Sequence, residues 1–151
     1  MNITHRVSAW GDRHHPKILD IIRMIFGAFL AFKGIVFFND AGYLRDLILE
    51  KEAVNQPPGL ITAIIYYVTY VHILGGGLIF IGLYTRLWAL LELPILFGAV
   101  FLVNISAPFV YSELWLAILS LALDCLFMII GSGPLSLDRL LLKSNTFGEE
   151  K

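Results

Sequence analysis

The chain has 151 residues, of which 58% are apolar and 15% charged, and its mean hydropathy of +0.76 exceeds that of an ordinary water-soluble domain. One domain of this length cannot enclose so much apolar surface, so lipid must solvate part of it. The net charge of −1 offers no basic footprint for nucleic acid. The single cysteine, Cys125, excludes a disulfide or a CxxC thiol relay within this chain and cannot by itself hold an iron–sulfur cluster.

A helix crosses the ~30 Å hydrocarbon core in about 20 residues. After a cytoplasmic segment over 1–17, the first apolar run of that kind is Ile18–Phe38. It lacks a cleavage site of small residues and reads as a retained helix. Tyr43, Leu44, Leu47 and Ile48 then recur at helical spacing among Arg45, Asp46, Glu50, Lys51 and Glu52, which predicts a short amphipathic helix on the membrane surface. Gln56-Pro57-Pro58-Gly59 ends it. The second run, Leu60–Leu83, and the third, Leu87–Val103, are joined by Tyr84-Thr85-Arg86 and must form an antiparallel hairpin. The connection Asn104–Glu113, with Pro108 as a breaker, leads to the fourth run, Leu114–Ile130. None of these runs alternates as a strand would, and an open sheet would leave unpaired backbone groups in lipid.

The expected fold is all-α: an integral membrane four-helix bundle over 18–142, with an amphipathic interfacial segment after its first helix and a cytoplasmic tail over 143–151. Placing the N-terminus in the cytoplasm puts Arg6, Arg13, Lys17, Arg23, Arg86, Arg139, Lys143 and Lys151 on the inner side and only Arg45 and Lys51 on the outer. The positive-inside rule therefore places both termini in the cytoplasm; the expected location is the plasma (inner) membrane. Trp10, Tyr84, Trp88, Tyr111 and Trp115 fall near helix ends, where aromatic anchors are expected.

Ionisable groups in hydrocarbon are costly and mark a functional site or a buried pair. The first helix carries Arg23 and Lys33, the second His72, the third Glu92 and the fourth Asp124. At about 1.5 Å per residue, Arg23, Glu92 and Asp124 share one layer towards the cytoplasmic side, with His72 near the midplane. Arg23 and Lys33 are the candidate ion-pair partners, each with an equal alternative of reaching to the headgroups. His72, Glu92 and Asp124 are the candidate proton or ligand site, against the alternative of packing and structural pairing.

Polar and small residues line up with these groups: Glu113, Ala117, Ser120 and Asp124 on the fourth helix; Thr69, His72 and Gly76, close to Thr62 and Tyr66, on the second; Ala89, Glu92, Leu96 and Ala99 on the third. Pro94 frees the carbonyl of Leu90. Gly75-Gly76-Gly77 has no strand before it and no Lys-Ser/Thr after it, so close helix packing is its expected role. His5, His14 and His15 lack further ligands at convincing spacing, and no metal site is expected.

Two stretches resemble the DoxX/DoxD family of small four-helix membrane proteins. One is His72-Ile-Leu-Gly-Gly-Gly-Leu-Ile-Phe-Ile-Gly-Leu-Tyr-Thr-Arg86-Leu-Trp-Ala89, similar to that family's glycine-rich helix and Gly-Leu-x-Thr-Arg turn. The other is Gly131-Ser132-Gly133-Pro134-Leu135-Ser136-Leu137-Asp138, similar to its closing Gly-x-Gly-x-x-Ser-Leu-Asp motif. The likeness covers most of 18–140. The chain departs at His72, where the family often has an acidic residue, and at Lys33-Gly34, where it often has His-Gly.

In the closing motif, Gly131 and Gly133 suit a left-handed helix end, and Ser136 and Asp138 suit caps of a short helix over 137–142. The resemblance implies a membrane subunit or accessory of a quinone-linked redox complex such as thiosulfate:quinone oxidoreductase. Quinone is the implied cofactor, and the implied partner is a redox protein or a second copy of this chain. The alternative is a non-enzymatic carrier or assembly scaffold with structural ion pairs; the sequence leaves open whether the chain is an enzyme.

Overall fold

The computed structural model describes residues 17–49, 57–104, 111–133 and 135–139, and these are helical with no strand among them. Helix α1 spans Lys17–Asn39. Asp40 ends it and starts the next, accepting the Tyr43 N–H at 2.9 Å, as an N-cap does. The capped helix α2, Ala41–Leu49, is the amphipathic segment expected there. Its Leu44 is buried and Arg45 and Asp46 are exposed, and it packs on α1 and α3.

The second long rod is α3, Pro58–Tyr70, then a π-helical turn, Val71–Gly75, then α4, Gly76–Ile81. Pro58 stands in the first turn, where its missing N–H costs nothing. Gly82, at φ 74°, closes the rod. Its N–H donates to Ile79 O at 3.2 Å and the Leu83 N–H to Leu78 O at 2.9 Å, the paired bonds of a Schellman cap. The connection is thus Gly82-Leu83-Tyr84, and Thr85 and Arg86 already belong to α5, Thr85–Gly98. The difference from the sequence expectation arises because Gly82 turns the chain two residues early. Helix α5 runs through Pro94 and continues as a second π-helical turn, Ala99–Asn104. The Tyr67 hydroxyl donates to the Leu91 carbonyl at 2.9 Å, next to the Leu90 carbonyl that Pro94 cannot serve. Helix α6 spans Tyr111–Ile130.

The long helices pack around Phe26, Leu30, Ile79, Leu96 and Phe127, with the Phe26 and Phe127 rings stacked at 6.1 Å. Helices α1 and α4 meet backbone to backbone. A Cβ on Gly76 would lie 2.4 Å from the Ala31 nitrogen, and one on Gly27 2.4 Å from the Phe80 nitrogen. The three consecutive glycines divide the work: Gly76 meets α1, Gly75 meets Trp88 and Glu92, and a Cβ on Gly77 would meet nothing within 4 Å.

Polarity runs inside out. Asp20, Arg23, Glu92 and Asp124 are each 0% exposed, whereas Ile25, Phe32 and Trp115 are 66%, 63% and 66% exposed. On α1 the exposed stripe Ile18, Ile21, Ile25, Phe32, Ile35 and Phe38 lies opposite a buried one of Asp20, Arg23, Gly27, Leu30 and Gly34. Water would reverse that distribution; a hydrocarbon solvent favours it. Lys17–Asn39 and Gly59–Ile81, with hydropathies of 2.0 and 1.8, are long and apolar enough to cross a membrane, and Leu114–Ile130 is a shorter apolar helix. These features fit a membrane protein.

Candidate functional site

Two buried polar clusters occupy different depths of the helix assembly. The first lies at the end where α1 begins and α4 and α6 end. Arg23 is completely enclosed, so it does not reach to the headgroups, and its ion pair is with Asp20 one turn earlier, at 3.4 Å. This corrects the expected grouping of Arg23 with Glu92 and Asp124. The guanidinium also donates to Ile79 O at 3.3 Å and to Leu135 O at 3.1 Å, which are carbonyls at or just past helix ends that need donors. Asp20 in turn accepts the Leu135 N–H at 2.9 Å. Arg23 passes so close to Gly82 that any Cβ there would collide with it.

The two stretches that resemble the family interlock at this point. Gly131 and Gly133 take the expected left-handed conformation, at φ 88° and 69°. Ser136 accepts the Arg139 N–H at 3.4 Å, as expected of a cap. Asp138 does something else: its two carboxylate oxygens accept the Tyr84 N–H at 3.2 and 3.0 Å, and one accepts the Ser132 hydroxyl. It therefore caps α5, some 54 residues away, because the Gly82 turn leaves that N–H pointing at it. Arg86 donates to Ile130 O at 3.1 Å and lies against Gly131. Asp138→Ala is expected to destabilise the protein by about 1–3 kcal/mol, since it leaves a charge-assisted acceptor missing; thermal unfolding in lipid nanodiscs measures it.

The second cluster is deeper and joins three helices. His72 lies in the π-helical turn, and its Nδ1 stands 3.0 Å from Glu92 Oε2 on α5. A π-helical turn adds a residue to the helical repeat and re-aims the side chains around it. Phe37 of α1 packs on the His72 ring at 5.8 Å. Gly75 lets the Glu92 carboxylate approach, since a Cβ there would stand 3.1 Å from Oε1. Asp124, on α6, lies within electrostatic reach of Glu92. His72 Nδ1, both Glu92 oxygens and both Asp124 oxygens, like the hydroxyls of Thr69 and Thr85, are buried without a hydrogen bond among the described residues, so the His72–Glu92 approach is an ion-pair contact and not a hydrogen bond. Of the expected residues, His72 and Glu92 are thus in contact, and the enclosed Asp124 interacts electrostatically with Glu92. A set of unsatisfied acceptors beside an imidazole can take up a proton, a cation or a hydrogen-bonding ligand.

Other expected positions divide. Lys33 is half-buried and stands in neither ion pair. Thr69, His72 and Gly76 are buried together, as are Ala89, Glu92 and Leu96, and Ser120 and Asp124, while Thr62 and Tyr66 face outward. Tyr84 and Trp115 are exposed, as anchors would be, but Trp88 packs on the apolar core. His5, His14, His15 and Trp10, and the side chains of Tyr111 and Glu113, lie outside the described residues, as do the segments 1–16 and 140–151. Asp20 escaped notice in the sequence because it stands at the polar margin of the first run, although its spacing of three from Arg23 is a pairing signal.

Compared with family models, residues 26–150 match the family described as TQO small subunit DoxD. Neither the curated proteins nor the solved structures contain a match.

Proposed function

The chain belongs to the family of the TQO small subunit DoxD, and on that premise we propose that it is the membrane subunit of a quinone-linked redox complex. Its four long helical segments cross the inner membrane, with both termini in the cytoplasm, and the His72–Glu92–Asp124 cluster is its proton or ligand site. A partner protein supplies the electron-carrying group. Quinone reduction consumes protons together with electrons, so a site in the membrane needs groups that hold and pass protons where water is scarce. The observation that carries the proposal is the His72–Glu92 contact of 3.0 Å with both side chains buried. An imidazole and a carboxylate held together away from solvent are groups that can take up and release a proton.

Purification in native lipid tests the proposal directly. Quinone and a redox partner should accompany the chain, and Glu92→Gln should lower quinone-dependent turnover of the complex on the order of a hundredfold while leaving its assembly intact. Purification without either companion, or turnover unchanged in Glu92→Gln, overturns it. Proton flux through liposomes holding this chain alone would favour the carrier reading instead.

A further inference from the structure

We propose that Gly75 is a positioning residue, which sets where the Glu92 carboxylate stands against His72. The inference deepens the reading of that pair as a proton or ligand site, on which it rests, by naming what fixes its geometry. Gly75 is the last residue of the π-helical turn that carries His72, and both are buried. One short segment therefore supplies the imidazole and, next to it, a stretch of bare backbone.

A Cβ on Gly75 would stand 3.1 Å from Glu92 Oε1, 3.3 Å from Trp88 Cε3 and 3.7 Å from Glu92 Cγ. The first two are closer than a Cβ ordinarily sits, so a neighbour would have to give by a few tenths of an ångström. All three atoms belong to side chains of α5, at positions one helical turn apart and therefore on one face. This separates Gly75 from Gly27 and Gly76, which meet backbone, and from Gly77, which meets nothing within 4 Å. Glycine at 75 makes room for one carboxylate and its aromatic neighbour.

The surroundings decide which atom would move. Trp88 packs against the apolar core, which leaves its ring little room to retreat. His72 is held from the other side by α1, whose Phe37 ring lies 5.8 Å from its own. On the same side, a Cβ on Gly34 would stand 2.9 Å from the His72 Cβ and 2.7 Å from the Ile73 nitrogen. The Glu92 carboxylate ends a flexible side chain, and its terminal torsion is soft, so it is the part that yields. Its Oε2 stands 3.0 Å from His72 Nδ1. The carboxylate is planar and rigid, so pushing Oε1 also moves Oε2, and the imidazole cannot follow.

Solid-state NMR of the wild-type chain in lipid vesicles tests this first, with carbon-13 in glycine Cα and glutamate carboxyls and nitrogen-15 in histidine rings. The Glu92 carboxyl, identified by the signal lost in Glu92→Gln, should show through-space contacts to Gly75 Cα and to the His72 ring. Absence of either contact overturns the proposal. Gly75→Ala should fold, weaken the Glu92–His72 contact and lower quinone-dependent turnover of the complex on the order of tenfold. Gly77→Ala should change neither. An undiminished Glu92–His72 contact in Gly75→Ala overturns the proposal, as does equal weakening in Gly77→Ala. If Gly75→Ala does not fold, combining it with Glu92→Ala should restore folding, because the carboxylate that the methyl meets is gone. A double variant that stays unfolded overturns the proposal. The NMR contacts need neither quinone nor partner. A weakened contact with full turnover would uphold the role of Gly75 and count against the redox reading alone.

Discussion

Arg23→Met is expected to cost about 3–5 kcal/mol of stability, the loss typical of breaking a buried ion pair from one side. The substitution leaves Asp20 enclosed with its countercharge gone, and it strips donors from the carbonyls of Ile79 and Leu135. A surface arginine would cost far less, because water would replace its partners. The complete enclosure of both side chains puts the pair in the costly class. Removing both charges, as in Asp20→Asn with Arg23→Met, should recover a substantial part of the loss, because no uncompensated ion then remains. Equilibrium unfolding of the two single variants and the double variant in nanodiscs measures the coupling. If Arg23→Met unfolds like the wild type, the guanidinium does not tie α1 to the α4 end and the closing motif.

The other large effect is expected at the α1–α4 contact. Gly76→Val and Gly27→Val should each destabilise the fold by about 3 kcal/mol or more, beyond the usual range for overpacking. At both positions the nearest atoms to an added Cβ are backbone, 2.4 Å away, and backbone cannot swing aside as a side-chain tip can. The two helices would have to separate, which would also loosen the Phe26–Phe127 stack behind them. Gly77→Ala is the internal control. Its Cβ would meet nothing within 4 Å, and alanine is favoured over glycine in a helix by up to about 1 kcal/mol, so it should be neutral or stabilising. Equal loss at Gly76 and Gly77 would show that the glycines act through helix propensity and not through contact.

Some of the site could be read along the chain, and some could not. His72, Glu92 and Asp124 announced themselves, because a lone ionisable residue in an apolar run has no local explanation. Axial rise put Glu92 and Asp124 in one layer and His72 nearer the midplane; depth does not give rotation about the helix axis, so the His72–Glu92 contact was not legible. Arg23 was expected in the layer of Glu92 and Asp124, yet it pairs with Asp20 and meets the α4 end and Leu135. The closing motif could be assigned its left-handed glycines at Gly131 and Gly133, since that depends on local backbone alone. Asp138 could not be assigned to Tyr84, because its distant donor becomes available only once Gly82 has turned the chain.

What the sequence by itself determined about this protein is the number of long apolar segments, the amphipathic helix after the first of them, and the family. Each depends on hydrophobic run length, helical periodicity or local motif, and these are set by neighbours along the chain. Tertiary structure alone decided that Arg23 closes the motif end with Asp20, that Asp138 caps a helix formed far upstream, and that Glu92 meets His72. Those choices depend on how each helix is rotated and how closely glycines such as Gly27, Gly75 and Gly76 let the rods approach. That geometry is set by packing between segments distant in sequence.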